Sequence, residues 1–307
     1  TRKGNIDDLV PPHPVVQQVV PRLEVRQLLK TIASCDVVVY DLHDADLEEL
    51  ELVLRILYQS EIIQDMAFIL ISSVGVWART PREYEEVQDM AVPEAAALEE
   101  GGEAVEGGAA AGGDAAVEGG IGEEDAEDGS ASAQEAAKVP VRPRPRVLKS
   151  EDYIRRMPAP KFQEWRTIET LTLALKEQGA VRPYVVCAGL PYGNGEDAFL
   201  GMFRAAWMTR PTLRVIGHGL NTIPLVHVRD AARLVRHILE EKPALDYHLA
   251  VDRGDATQRA IVEAVAKEFG IPYDIRSVSV PEALLAEMAD MLTMDLRLEP
   301  SPLMQAA

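Results

Sequence analysis

The chain has 307 residues, 50 of them acidic against 31 basic, for a formal net charge of −19. That balance argues against nucleic acid as the main partner. The longest apolar runs, Met66–Ile71 and Val185–Leu190, fall far short of a membrane span. In chain order, the opening TRKGNIDDLVPP has no apolar core of the kind a secretory signal needs. Cys35-Asp-Val-Val-Val-Tyr40 is a β-branched run of strand length, and Asp46–Gln59 carries Leu47, Leu50, Val53, Leu54 and Leu57 at helical spacing. Met66–Ser73 reads as a second strand, apolar throughout, as strands covered on both faces are.

Residues 94–135 then change character: 12 Ala, 10 Gly, 13 acidic residues and no Lys or Arg. Such a composition buries too little apolar surface to offset its ordering entropy and predicts disorder. Most of the negative charge therefore belongs to one segment, and the remaining 265 residues carry only −6. Residues 138–149, KVPVRPRPRVLK, hold five basic residues and no acid, with prolines that favour an extended backbone. The stretch reads either as part of a charged insert loop or as a docking segment for an acidic surface such as a tubulin-type polymer.

Beyond it, Glu164–Gln178 is helical and stops at Gly179, and Tyr184–Leu190 is a third buried strand. Ala198–Met208 is a helix, followed by short strands at Leu213–Ile216 and Leu225–Val228. Asp230 is positioned to cap AARLVRHILEE, with Ala231, Leu234, Val235 and Ile238 as its apolar face. Tyr247–Val251 is a strand, and Asp255 or Thr257 caps RAIVEAVAKEFG, which closes at Gly270. The alternation predicts an α/β fold: a Rossmann-like, doubly wound parallel sheet whose N-terminal part is incomplete. One domain is then formed by residues 1–93 and 151–307, with 94–150 an insert. Two cysteines, Cys35 and Cys187, each in or beside an apolar run, cannot make a disulfide framework and fit a soluble protein of a reducing compartment.

Three patterns fall in a fixed order: a strand ending Ser72-Ser73-Val74-Gly75-Val76-Trp77, a later strand entering Ala188-Gly189-Leu190-Pro191-Tyr192-Gly193, and Gly217-His218-Gly219-Leu220-Asn221-Thr222-Ile223-Pro224 before Leu225-Val226-His227-Val228. This order resembles the extended short-chain dehydrogenases, the NAD-dependent epimerase/dehydratase type. The forms VWAR (76–79), YVVCAGLPYG (184–193), GxGxNxIPxxHV (217–228) and YHLAVD (247–252) are similar to the dehydrogenase-like N-terminal domain of the axonemal adenylate kinase isoenzyme 7 type. The resemblance implies a nucleoside monophosphate kinase domain downstream, with Met291–Pro302 as the run-up to it, and an association with motile cilia.

It also implies where chemistry would reside. Family hydride transfer uses a Tyr acidified by a Lys four residues on, helped by a Ser or Thr hydroxyl. Ser73 fits the hydroxyl, but none of the eight tyrosines has a Lys four residues later. Counting back from Glu169 puts Lys161 at the Tyr position and Trp165 at the Lys position, so catalysis of the family type is not expected. No glycine-rich loop precedes the Cys35 strand. The one GxGxxA match is Gly193-Asn194-Gly195-Glu196-Asp197-Ala198, a weak candidate because Glu196 and Asp197 would repel phosphate. Ile223-Pro224 stands where nucleotide-sugar enzymes of the family commonly carry an Arg-Asp pair. No kinase-type GxxxxGK[ST] occurs, so this chain is not itself the kinase.

His43, in DLHDAD, is read as part of a solvated loop that caps the next helix, not as a metal ligand, and no metal site is expected. Asn221 and His227 are substrate-pocket remnants, with His227 packing beneath the following helix. Trp77, Trp165 and Trp207 are core or interface anchors, since no basic aromatic patch surrounds them. The expectation is a non-catalytic, structural or assembly module of the ciliary axoneme, in its central apparatus. No cofactor is expected, and the partners are other axonemal or microtubule-associated proteins, with no membrane. Two alternatives stay open: an NAD(P)-dependent reductase or epimerase whose cofactor loop lies outside this chain, and a nucleotide sensor.

Overall fold

The computed structural model describes residues 15, 16, 19, 20, 24–60, 62, 64–88, 141–195, 198–208, 212–269, 274–283 and 289–305. The acidic segment 94–135, Glu196, Asp197 and Gly270 lie outside the described residues. Two compact units are present: a body made of residues 1–83 and 145–307, and a small unit of residues 84–144. In chain order the elements are α1 (Val25–Ala33), β1 (Val37–Asp41), α2 (Leu47–Gln59), β2 (Met66–Ser73), β3 (Tyr84–Gln88), β4 (Val141–Pro145), α3 (Gln163–Ala174), β5 (Val181–Ala188) and β6 (Leu190–Tyr192). Next come α4 (Leu200–Trp207), β7 (Thr212–Ile216), β8 (Leu225–His227), α5 (Val228–Glu241), β9 (Tyr247–Ala250), α6 (Gln258–Glu268) and β10 (Asp274–Val278). Three one-turn helices follow, α7 (Val280–Ala283), α8 (Ala289–Leu292) and α9 (Pro302–Gln305). The described part of the small unit is the β3–β4 pair.

The body is built on a parallel sheet in the order β1-β2-β5-β9. Its strands are unbroken apolar runs because both faces are covered. Phe68, Leu70, Val185, Cys187 and Leu249 pack into the cluster that holds Leu50, Val53 and Leu54 of α2 and Ile168 of α3. The alternate residues Ile69, Tyr184, Val186, Ala188 and Ala250 pack with Leu234 and Ile238 of α5. A second parallel pair, β7–β10, sits with α4 and α6 over Ala206, Leu213, Val215, Val262 and Val265. The parallel α/β architecture is as the alternation predicts. No helix among the described residues is long and apolar enough to cross a membrane.

Several local readings need correction. The run 184–190 is two strands: β5 ends at Ala188, and β6 leaves the sheet to pair with β8. Gly189 permits the step, since a Cβ there would sit 2.8 Å from the Leu225 backbone. Helix α5 starts at Val228, and its N-cap is His227, whose Nδ1 accepts from the Arg229 amide at 3.3 Å. Asp230 falls inside the first turn, paired with Arg233 at 2.7 Å, where a carboxylate still complements the helix dipole. Thr257, not Asp255, caps α6, and Asp255 faces Arg297 at 3.5 Å.

The basic stretch 138–149 ends inside the body. Arg146 is bound by Glu83 at 2.8 Å and Asp152 at 3.0 Å, Lys149 faces Glu299 at 3.3 Å, and Leu148 is buried against the core. The C-terminal residues 291–304 are likewise part of the body. Leu148 and Leu298 form a parallel bridge, the Ser301 amide donates to Leu249 O, and Leu303 and Met304 pack on the α5 face.

One polar cluster joins these layers. The Arg156 Nε donates to Glu169 Oε2 at 2.6 Å, with the two side chains 4% and 0% exposed. Glu169 lies 3.4 Å from the Tyr247 hydroxyl, which accepts from Trp77 Nε1 at 2.9 Å. The Arg156 guanidinium lies over the rings of Tyr153 and Tyr247, which stack 5.0 Å apart. Burial raises the Glu169 carboxyl above its ordinary value, against the opposing pull of Arg156. Burial likewise pushes the Cys187 thiol well up, so it is an inert packing residue. Breaking a buried pair from one side costs about 3–5 kcal/mol, whereas replacing both partners by apolar residues is often near neutral. Arg156→Met should therefore lower urea-unfolding stability by about that amount, and Arg156→Met/Glu169→Leu should recover most of it. A carboxyl raised in the folded state gives up stability as pH rises, so the single variant should be least impaired in mild acid and worst at neutral pH and above.

Candidate functional site

At the C-terminal ends of β2 and β5 the body encloses a cavity of about 380 Å³. Ser73, the last residue of β2, and Lys161 and Trp165 from the start of α3 and the short turn before it all line this cavity. The opposite wall is Leu190, Pro191, Tyr192 and Gly193, with His43 from the loop after β1, Val228 and Met291 completing it. The positions that counting from Glu169 assigns to the family Tyr and Lys are thus brought together with the retained Ser. Glu169 itself faces away, into the buried pair with Arg156.

The Ser73 Oγ accepts from the Gly75 amide at 3.3 Å, which leaves its O–H free to donate. Gly75 must be glycine because a Cβ would lie 2.5 Å from the Phe162 ring. Trp165 stands edge-on to both His43 and Phe162, at 5.0 and 5.1 Å between ring centroids. The His43 Nδ1 and Asp41 Oδ1 are 2.7 Å apart. Burial works to raise the Asp41 carboxyl, but the hydrogen bonds and charge of His43 together hold it below its ordinary value.

Tyr192 is the one phenol among the lining residues, and it does not replace the missing catalytic tyrosine. Its hydroxyl donates to Asp252 Oδ2 at 2.7 Å, and burial followed by that carboxylate pushes its pKa up to about 12. A hydride-transfer tyrosine needs the opposite shift. Its part in the cavity is not visible in a search for Tyr-x-x-x-Lys, although it directly follows the Leu190-Pro191 strand end.

Gly193 and Gly195 both line the cavity. Gly193 owes its identity to backbone geometry: its φ is +84°, and a Cβ would meet His227 Nε2 at 2.4 Å. The helix that follows starts at Leu200, so the GxGxxA segment does not open directly into a helix. His227 stands behind the cavity wall, edge-on to Tyr192 at 5.2 Å, and serves as the α5 cap. Asn221 does not line this cavity. Its Nδ2 donates to Leu292 O and Met294 O at 2.7 and 2.8 Å, holding the C-terminal segment. Among the described residues no group of three His, Cys, Asp or Glu is placed to hold a metal. Trp77 is fully buried, whereas Trp207 is 78% exposed beside Phe269.

The fold is similar to that of solved NAD-dependent epimerase/dehydratase enzymes. The chain superposes on dTDP-glucose 4,6-dehydratase from Bacillus anthracis, solved with NAD, at a TM-score of 0.54 and 12% identity, covering 93% of this chain and 70% of that one. A human epimerase family protein, SDR39U1, solved with NADPH, gives 0.51 and 14%, covering 91% and 79%. UDP-glucuronic acid 4-epimerase from Bacillus cereus gives 0.51 and 13%, covering 94% and 72%. No family model matches the chain. In sequence it is homologous to adenylate kinase 7: 35% identical to the Mus musculus protein over 156 residues, or 48% of this chain and 25% of that protein. The Macaca fascicularis protein is 34% identical over 122 residues, 38% of this chain and 23% of the relative. The chain thus spans about a quarter of the length of these relatives.

Gly193→Ala should strain a left-handed turn and press on His227, lowering stability by about 1–3 kcal/mol. Urea unfolding measures the loss, and Gly195→Ala, which meets no neighbouring atom, serves as the comparison for backbone strain alone.

Proposed function

We propose that this chain is a dehydrogenase-like module that performs no hydride transfer and serves as a structural or assembly element of an adenylate kinase 7-like protein. The observation that carries this reading is the content of one cavity. Ser73 is in place, but Lys161 and Trp165 occupy the positions of the phenol and its lysine, and Tyr192 is held protonated by Asp252. The polar cluster and the continuous core of the sheet are intact, so the scaffold is preserved while its chemistry is absent. The adenylate kinase 7 homology supports placing the module in the axoneme of motile cilia, in the central apparatus, with microtubule-associated proteins as partners.

The basic stretch is the segment offered to such partners, narrowed to residues 138–145 because Arg146 and Lys149 face carboxylates of the body. Arg142→Glu/Arg144→Glu should reduce co-sedimentation with axonemal microtubules several-fold in low salt, without changing the melting temperature. Unchanged co-sedimentation would refute the docking role.

A second reading is favoured by the solved relatives of this fold that hold NAD or NADPH. In it, the cavity retains dinucleotide binding without turnover. Calorimetric titration of the purified chain with NAD and NADPH decides between the two. The structural reading expects no binding in the micromolar range, and micromolar affinity would establish the second reading in its place.

A further inference from the structure

The lining of the cavity is unlike the rest of this acidic chain. No Asp or Glu side chain among the described residues lines it, although the chain carries −19. The polar side chains that line it instead are those of Lys161, Ser73, His43 and Tyr192. Lys149 and Lys176 each sit on a carboxylate. Lys161 lines an open cavity whose near walls are Trp165, Phe162 and Leu190. Trp165, which packs at near right angles against His43 and Phe162, lines the same cavity as Lys161 and supplies apolar ring surface there. Its volume lies in the range of small-molecule sites and suits one substituted or bicyclic ring.

We propose that this cavity is a binding site for a small planar carboxylate, an aromatic acid whose ring packs on Trp165 and whose carboxylate takes hydrogen bonds from Lys161 and Ser73. The lining favours a single carboxylate over a polyphosphate. Among the described residues Lys161 is the one permanent cation that lines the cavity, and no Arg joins it there, so a single negative charge is matched where a polyphosphate would not be. The site goes beyond the structural role proposed above and does not depend on where the protein resides.

The test uses matched pairs of probes on the purified chain: nicotinate with nicotinamide, and 2-naphthoate with 2-naphthamide, titrated by calorimetry. Each acid should bind about tenfold or more tightly than its amide, the discrimination expected of one charge-assisted contact. Lys161→Met should erase that preference, Lys161→Arg should keep it, and Lys30→Met, on the far helix α1, should leave it unchanged. Circular dichroism melting confirms that each variant is folded. Trp165→Phe should weaken both naphthyl probes while leaving the acid-to-amide ratio intact. Amides binding as well as acids, acids failing to bind up to millimolar concentration, or an acid preference that survives Lys161→Met would each overturn the proposal. Micromolar NAD binding alongside failed acid binding would overturn both this proposal and the structural reading. Acid binding without NAD binding supports both.

Discussion

The buried ion pair of Arg156 and Glu169 is the constraint on which the body is organised. Glu169 comes from the middle of α3, and Arg156 from the chain that re-enters the body after the small unit. Tyr247 belongs to the last strand of the sheet, and Trp77 to the turn that leaves β2. Four segments distant in sequence must reach one dry spot before all of their polar groups are satisfied. An unsatisfied buried charge is so costly that partly assembled arrangements are strongly disfavoured. The rings of Tyr153 and Tyr247 stack on each other beside the guanidinium, whose centre lies 5.6 and 5.4 Å from their centroids.

The cavity inherits its shape from this arrangement. With Glu169 turned inward, the first turn of α3 and the short turn before it place Trp165, Lys161 and Phe162 around the cavity opposite β6. With Trp77 anchored on Tyr247, the turn after β2 is fixed, and Ser73 keeps its place at the cavity floor. Tyr192 and His227 are set by a separate device, the Asp252 carboxylate, which takes the Tyr192 hydroxyl and the His227 amide. The two sides of the cavity are therefore held by independent polar clusters, one buried and ionic, the other at the rim.

Much of this was legible in the residues themselves. Unbroken runs such as MAFILISS announce strands covered on both faces, and simple counting from Glu169 brought Lys161 and Trp165 to the same place as Ser73. What was not legible depends on long-range partners. Arg156 is one arginine among many until its burial is known, and nothing local marks it as the mate of Glu169. Asp230 and His227 are both competent caps, and only the backbone path after β8 chooses between them. Asn221 sits in a motif that suggests a pocket, yet its amide holds carbonyls more than 70 residues away in sequence. Arg146 and Leu148 look like the end of a solvated basic stretch, and become body residues only because Glu83, Asp152 and Leu298 are waiting for them.

The C-terminal segment has a mechanical meaning. It begins at Met291 on the cavity wall, is pinned by Asn221 and by the Thr222 backbone, runs beside Leu148, and finishes against β9 and α5. Its attachments lie one after another along its length. A pull on the chain at this end would load the Ser301–Leu249 bond first, then the two bonds that flank Leu148, and only afterwards the Leu296–Thr222 bond and the amide of Asn221. Along the segment, the contact at the cavity is thus the one furthest from this end, with the other attachments lying between.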